Sequence, residues 1–166
     1  MWPLLVVSTA TRAAIAARRV VGASAVARAA DEVVLAETLA AQGRDDEARD
    51  LLDAALTTYE RTYGPNHHEV GVTLVHLGAL DRRRDSSAAL RNYTRALEIK
   101  QRTRGPHHPE VGAVHNNLGA LHHEQGRTEL AREHYEHALA LLARRYGPDH
   151  PATLTCRANL ARLESR

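Results

Sequence analysis

A chain of 166 residues that is 43% hydrophobic and 25% charged has the balance of one soluble domain, which excludes a disordered tail and a membrane protein. Five Tyr, one Trp and no Phe leave few rings for a sheet-sandwich core, whereas 29 Ala and 21 Leu suit close-packed helices. The formal charge of +2 is spread in alternating blocks, +4 over residues 1–30, −6 over 31–64 and +4 over 65–105, so no coherent basic face is present for nucleic acid.

Residues 1–23 read as a helical segment, either the worn second helix of an earlier unit, since Gly22 stands 42 residues before Gly64, or disordered chain. The apolar run Trp2 to Val7 is too short to span a bilayer and lacks a preceding positive stretch, so no membrane partner and a cytoplasmic location are expected. Cys156 is the only cysteine, which rules out an internal disulfide and any zinc site needing two thiolates. The 21 Arg against the single Lys100 reflect a GC-rich genome more than a demand for guanidinium chemistry.

From residue 24 the sequence repeats itself. Gly64-Pro65, Gly105-Pro106 and Gly147-Pro148 are spaced by 41 and 42 residues, and the same register aligns His67, His108 and His150, then Leu77, Leu118 and Leu160, then Ala48, Ala89 and Ala131. The units run over 24–64, 65–105 and 106–147, with a partial unit or capping helix over 148–166. Within a unit, apolar residues return at three and four, as along Leu118, Leu121, then Tyr135, Ala138, Leu139 and Leu142, which predicts helices with one buried stripe. Gln42-Gly43-Arg44 and Gln125-Gly126-Arg127 separate two such stripes, and each Gly-Pro pair ends the second. Pro109 and Pro151 suit a first helical turn, with His108 and His150 near the cap. The middle unit replaces the glycine turn by Asp81-Arg82-Arg83-Arg84-Asp85, and a tighter or distorted turn is expected there.

These residues resemble the tetratricopeptide repeat, in the long 42-residue form found in kinesin light chains and many bacterial regulators. The third unit carries the likeness in Asn116-Asn117-Leu118-Gly119-Ala120-Leu121, Gln125-Gly126-Arg127, Ala131, Tyr135 and Ala138-Leu139. The small residues Gly119, Ala131 and Ala138 stand where the family brings its two helices into contact. The resemblance implies an all-α fold, a right-handed superhelix of antiparallel helical hairpins, whose concave groove binds a peptide or a partner helix. The groove positions are Asn116, Asn117, His123 and Glu124, with His76, Arg82 and Arg83 in the second unit and Asn159 and Arg162 in the last. An asparagine amide offers a donor and an acceptor to a peptide backbone, and the arginines favour an acidic ligand.

Eleven histidines raise a metal or pH-sensing alternative. His115 and His122 share one helix face, and His134 and His137 share one on the next helix, but the first two stand where the family packs aromatic rings. They are read as half-buried rings with satisfied nitrogens, and no metal or cofactor is assigned. No nucleophile and base pair, phosphate-binding loop or dinucleotide string is present, so no enzyme is expected. The expectation is a non-catalytic interaction scaffold. A severed regulatory arm of a larger signalling ATPase or transcriptional regulator is an alternative, and self-association through Leu154 and Leu160 of the final helix is a rival mode of binding.

Overall fold

The computed structural model describes residues 24–164, which are all-α. Helices α1 (Ala25–Ala41), α2 (Asp45–Tyr63), α3 (His68–Asp81), α4 (Ser86–Arg104), α5 (Pro109–Glu124), α6 (Thr128–Tyr146) and α7 (Pro151–Glu164) follow one another, joined by short turns. The reading of residues 1–23 lies outside the described residues. No described helix is long and apolar enough to cross a membrane. The chain divides between Leu80 and Asp81 into two compact units.

Local chemistry sets the helix ends. Gly43 and Gly126 follow α1 and α5 with φ of 75° and 71°, the left-handed conformation that lets a helix stop and the chain reverse. Gly147 after α6 has φ 88° and ψ 170°, a region open essentially to glycine alone. At the opposite ends, His67, His108 and His150 each accept on Nδ1 from the backbone N–H two residues ahead, those of Glu69, Glu110 and Ala152, at 3.3, 3.2 and 3.2 Å. One recurring residue thus satisfies one orphan donor at three helix starts.

The turn after α3 departs from the glycine turn, as expected, but it is longer rather than tighter. Four residues, Arg82 to Asp85, separate α3 from α4, against three in the glycine-containing turn between α1 and α2. The physical reason is a change of capping device: among the described residues no side-chain-bearing residue takes positive φ, and Asp85 accepts instead from the N–H groups of Ser87 and Ala88 at 3.0 and 2.9 Å. The shorter repeat arises in the helix, α3 having 14 residues where α5 has 16.

In the first unit α1 packs along α2, burying Ala29, Leu35, Ala36 and Leu39 with Ala48, Leu52, Ala55 and Tyr59. Alanines at these contacts let the backbones approach, which is how a core poor in rings is filled. Burial and nearby carboxylates, that of Glu69 first, push the Tyr59 hydroxyl up to about 12.

In the second unit α4 packs on α5, α5 along α6, and α6 against α7. Ala131, Tyr135, Ala138 and Leu142 of α6 form a cluster with Cys156 and Leu163 of α7. Leu160 packs against this cluster and only Leu154 of the expected pair is exposed, so the apolar face left on α7 is smaller than the sequence implied. Lys100, the single lysine, is buried, and its Nζ donates to Glu110 Oε2 at 2.6 Å, joining α4 to α5. An ammonium held in this way stabilises little by itself, but stripped of its partner it would cost several kcal/mol, about 3–5, of uncompensated charge.

Candidate functional site

Along α5, Asn116, Asn117, Ala120, His123 and Glu124 recur at three and four and so share one face. With Arg82 from the turn between α3 and α4, Tyr135 of α6, and Thr155, Asn159 and Arg162 of α7, they line an open depression of about 420 Å³ in the second unit. Seven of the nine groove positions read from the sequence therefore meet in one place. Arg83 is exposed and does not line it, and His76 belongs to the first unit, where its Nε2 lies 3.1 Å from Glu37 Oε1. Tyr135 and Thr155 were not among the sequence candidates. Their place in the wall depends on how closely α5, α6 and α7 approach, which no periodicity within one helix reports.

The polar groups of the depression are linked. Asn159 Nδ2 donates to Asn116 Oδ1 at 3.0 Å, across from α7 to α5, and Arg162 Nη2 donates to Asn159 Oδ1. Asn159 itself is 8% exposed, so the relay is anchored in the wall rather than floating on it. Arg82 Nε stands 3.4 Å from Glu124 Oε1, a loose ion pair at the rim. Two guanidinium groups against one carboxylate leave the depression net positive. Burial pushes the Tyr135 hydroxyl up, although Arg162 opposes the shift, so the phenol stays neutral and usable as a hydrogen-bond donor.

A second group gathers on the α5–α6 face. His115 Nδ1 and His134 Nδ1 are 2.9 Å apart, and the rings form a ladder in the order His137, His115, His134, His122, with successive centroids 5.3, 5.1 and 5.3 Å apart. The ladder alternates between the two helices, so the face shared by His115 and His122 on α5 meets the face shared by His134 and His137 on α6. Desolvation, reinforced by the neighbouring histidines, holds both His115 and His134 down at about 4. His122 is lowered by burial and by Arg127. The expectation of satisfied nitrogens is met at His115 but not at His122, whose buried Nδ1 makes no hydrogen bond of sound geometry, the nearby Gln125 amide being poorly placed. The ring is fixed there by stacking on His134 instead. Among the described residues, no group of three or more His, Cys, Asp or Glu side chains is placed so that it could hold a metal ion.

Cys156 is fully buried, and its Sγ–H donates to the Tyr135 carbonyl at 3.2 Å. Burial pushes the thiol up to about 11, far from the thiolate a nucleophile needs.

Against known proteins, the profile of the tetratricopeptide repeat matches residues 26–102, 87–144 and 110–166. The chain is similar to the crystal structure of BtubC (BKLC) from P. vanneervenii, with 25% identity, a TM-score of 0.76 and coverage of 83% of this chain. It spans 56% of the length of that protein. It is also similar in fold to nearly identical TPR-like repeats assigned to a kinesin light chain of Podosopora anserina, in two crystal structures. These have 21% identity, TM-scores of 0.77 and 0.75, and cover 98% of this chain and 77% and 78% of theirs. No curated protein matches the sequence.

Proposed function

Because the chain belongs to the tetratricopeptide repeat family, whose members are generally non-catalytic protein-interaction scaffolds, we propose that it binds an extended acidic peptide in the depression lined by α5 and α7. The observation that carries this reading is the Asn116–Asn159–Arg162 relay. It holds an amide and a guanidinium in fixed positions beside Asn117, so a ligand carboxylate and the peptide bonds next to it meet donors already in place, at little ordering cost. The excess of Arg82 and Arg162 over Glu124 sets the preference for acidic side chains or a carboxyl terminus. The repeat units are taken as 24–64, 65–105 and 106–147, with the partial unit over 148–166 supplying the far wall of the site.

The test is recovery of partners with the full chain as bait, beside the triple variant Asn117→Ala, Arg82→Ala, Arg162→Ala. Each lost neutral hydrogen bond costs about 1 kcal/mol and each charged one about 2, so binding is expected to weaken by at least about a hundredfold. Equal recovery by both baits, with the variant shown to be folded by circular dichroism, would place the contact elsewhere on the molecule.

A further inference from the structure

We infer that the ligand anchors one carboxylate between the Tyr135 hydroxyl and Nε of Arg82, and that the carboxylate of Glu124 is a built-in competitor which the ligand displaces. This rests on the reading of the α5–α7 depression as the binding site and names the atoms in it that select the ligand. Tyr135 is 1% exposed, yet its hydroxyl has no hydrogen-bond partner among the described residues. Arg162, Arg82 and Glu124 all act on that hydroxyl, and all three line the same depression as Tyr135, so the O–H is turned toward the cavity. Arg82 repeats the pattern. Its Nε is shielded from solvent and makes no hydrogen bond of sound geometry, the contact with Glu124 Oε1 at 3.4 Å being a loose ion pair only. Buried donors are seldom left unpaired, because each has given up its water for nothing. Two such donors in one wall mark a place for an acceptor, and beside two guanidinium groups that acceptor is an anion.

Glu124 indicates which anion. The group that now stands against Arg82 is itself a carboxylate, so the chemistry of the occupant is already represented in the chain. It is poorly held. Glu124 is the last residue of α5, where the negative end of the helix dipole disfavours a carboxylate, and its side chain is half exposed. A ligand carboxylate meets the same guanidinium and gains the Tyr135 O–H as well, so it displaces Glu124 into solvent at little cost. A neutral amide or hydroxyl gains less from a guanidinium and leaves Glu124 in place, which makes the exchange selective for acids.

The experiment is fluorescence-anisotropy titration of the full chain with two dye-labelled probes. Hexaglutamate capped as the amide offers side-chain carboxylates only, and hexaglycine with a free C-terminus offers the terminal carboxylate only. Saturable binding of one of them is expected and identifies the source of the carboxylate. Glu124→Gln should tighten that binding about threefold or more, and Tyr135→Phe should weaken it about tenfold. The melting temperature of Tyr135→Phe should stay at the parent value, since the hydroxyl removed bonds nothing in the free chain. Glu136→Gln, exposed on α6 and outside the depression, removes the same charge and should change binding by less than about twofold. The seat is overturned if Glu124→Gln and Glu136→Gln act alike, or if a folded Tyr135→Phe binds as the parent does. Should the probe still be lost from the Asn117, Arg82 and Arg162 triple variant, the depression remains the binding site and only the seat fails. Absence of saturable binding of either probe, to the parent and to Glu124→Gln alike, also overturns the seat, while recovery of partners judges the depression separately. If Tyr135→Phe does not fold, Glu124→Gln against Glu136→Gln decides alone.

Discussion

Gly119→Ala is expected to lower the stability of the second unit by about 2 kcal/mol, even though alanine is the better helix former. A Cβ at this position would stand 2.7 Å from both Cδ1 and Cε1 of Tyr135. Tyr135 is 1% exposed and packed in the cluster of α6 with α7, so displacing its ring disturbs that packing. The gain in helix propensity is about 1 kcal/mol. Overpacking a close-packed core costs about 1–3 kcal/mol, and more when the contact is rigid, so the clash wins. Gly112→Ala is the informative contrast: its Cβ would lie 3.1, 3.2 and 3.3 Å from Leu141 Cβ, Leu142 Cγ and the Ala138 carbonyl oxygen, tight contacts but none as short as 2.7 Å, so the loss should be smaller. Urea unfolding followed by circular dichroism reads the difference. A Gly119→Ala chain as stable as the parent would refute the packing argument, and Tyr135→Leu in the same background should restore part of the loss, since neighbouring sites couple.

The second large effect is acid sensitivity. His115 and His134 are held at about 4 in the folded chain, by burial first, and second by His134 and His137 in the case of His115 and by His122 and His137 in the case of His134. Their unfolded value is about 6.5, so between these limits the unfolded state binds protons that the folded state refuses. The stability they permit is therefore complete above about pH 6.5 and is lost as pH falls toward 4. Allowing for partial exposure of both rings, a loss of about 2 kcal/mol by pH 5 is expected, before most carboxylates titrate. The urea midpoint measured between pH 7.5 and 5 checks this, and replacing both residues by Phe, which keeps a ring and removes the titrating nitrogens, should flatten the curve. A midpoint constant over that range in the parent chain would contradict the ladder's burial.

What could be read from the sequence was what depends on neighbours along the chain. Gly126, Pro109 and His108 mark helix ends because capping is settled within four residues, and Asn116 and Asn117 share a face because helical period alone places them together. The middle turn escaped because an aspartate cap and a glycine turn are alternative solutions to one problem, and only backbone geometry tells which was adopted. The wall of the groove was half legible for a similar reason: Asn159 and Arg162 follow from repeat register, but Tyr135 and Thr155 enter through distances between helices. The histidine order was not legible for the same reason, although the shared faces were. Residues three or seven apart on one helix look like partners, yet side chains from facing helices interleave, so His115 meets His134 and His137 before it meets His122.

The buried thiol of Cys156 has a use beyond packing. It is the chain's only sulfhydryl, it sits on α7, and its hydrogen bond to Tyr135 closes only while α7 rests on α6. A thiol reagent added to the native protein therefore reacts at one place and only during excursions in which the last helix lifts away. The labelling rate becomes a clock for fraying at the end of the array, read without introducing any probe, and a ligand seated on Asn159 and Arg162 would slow it.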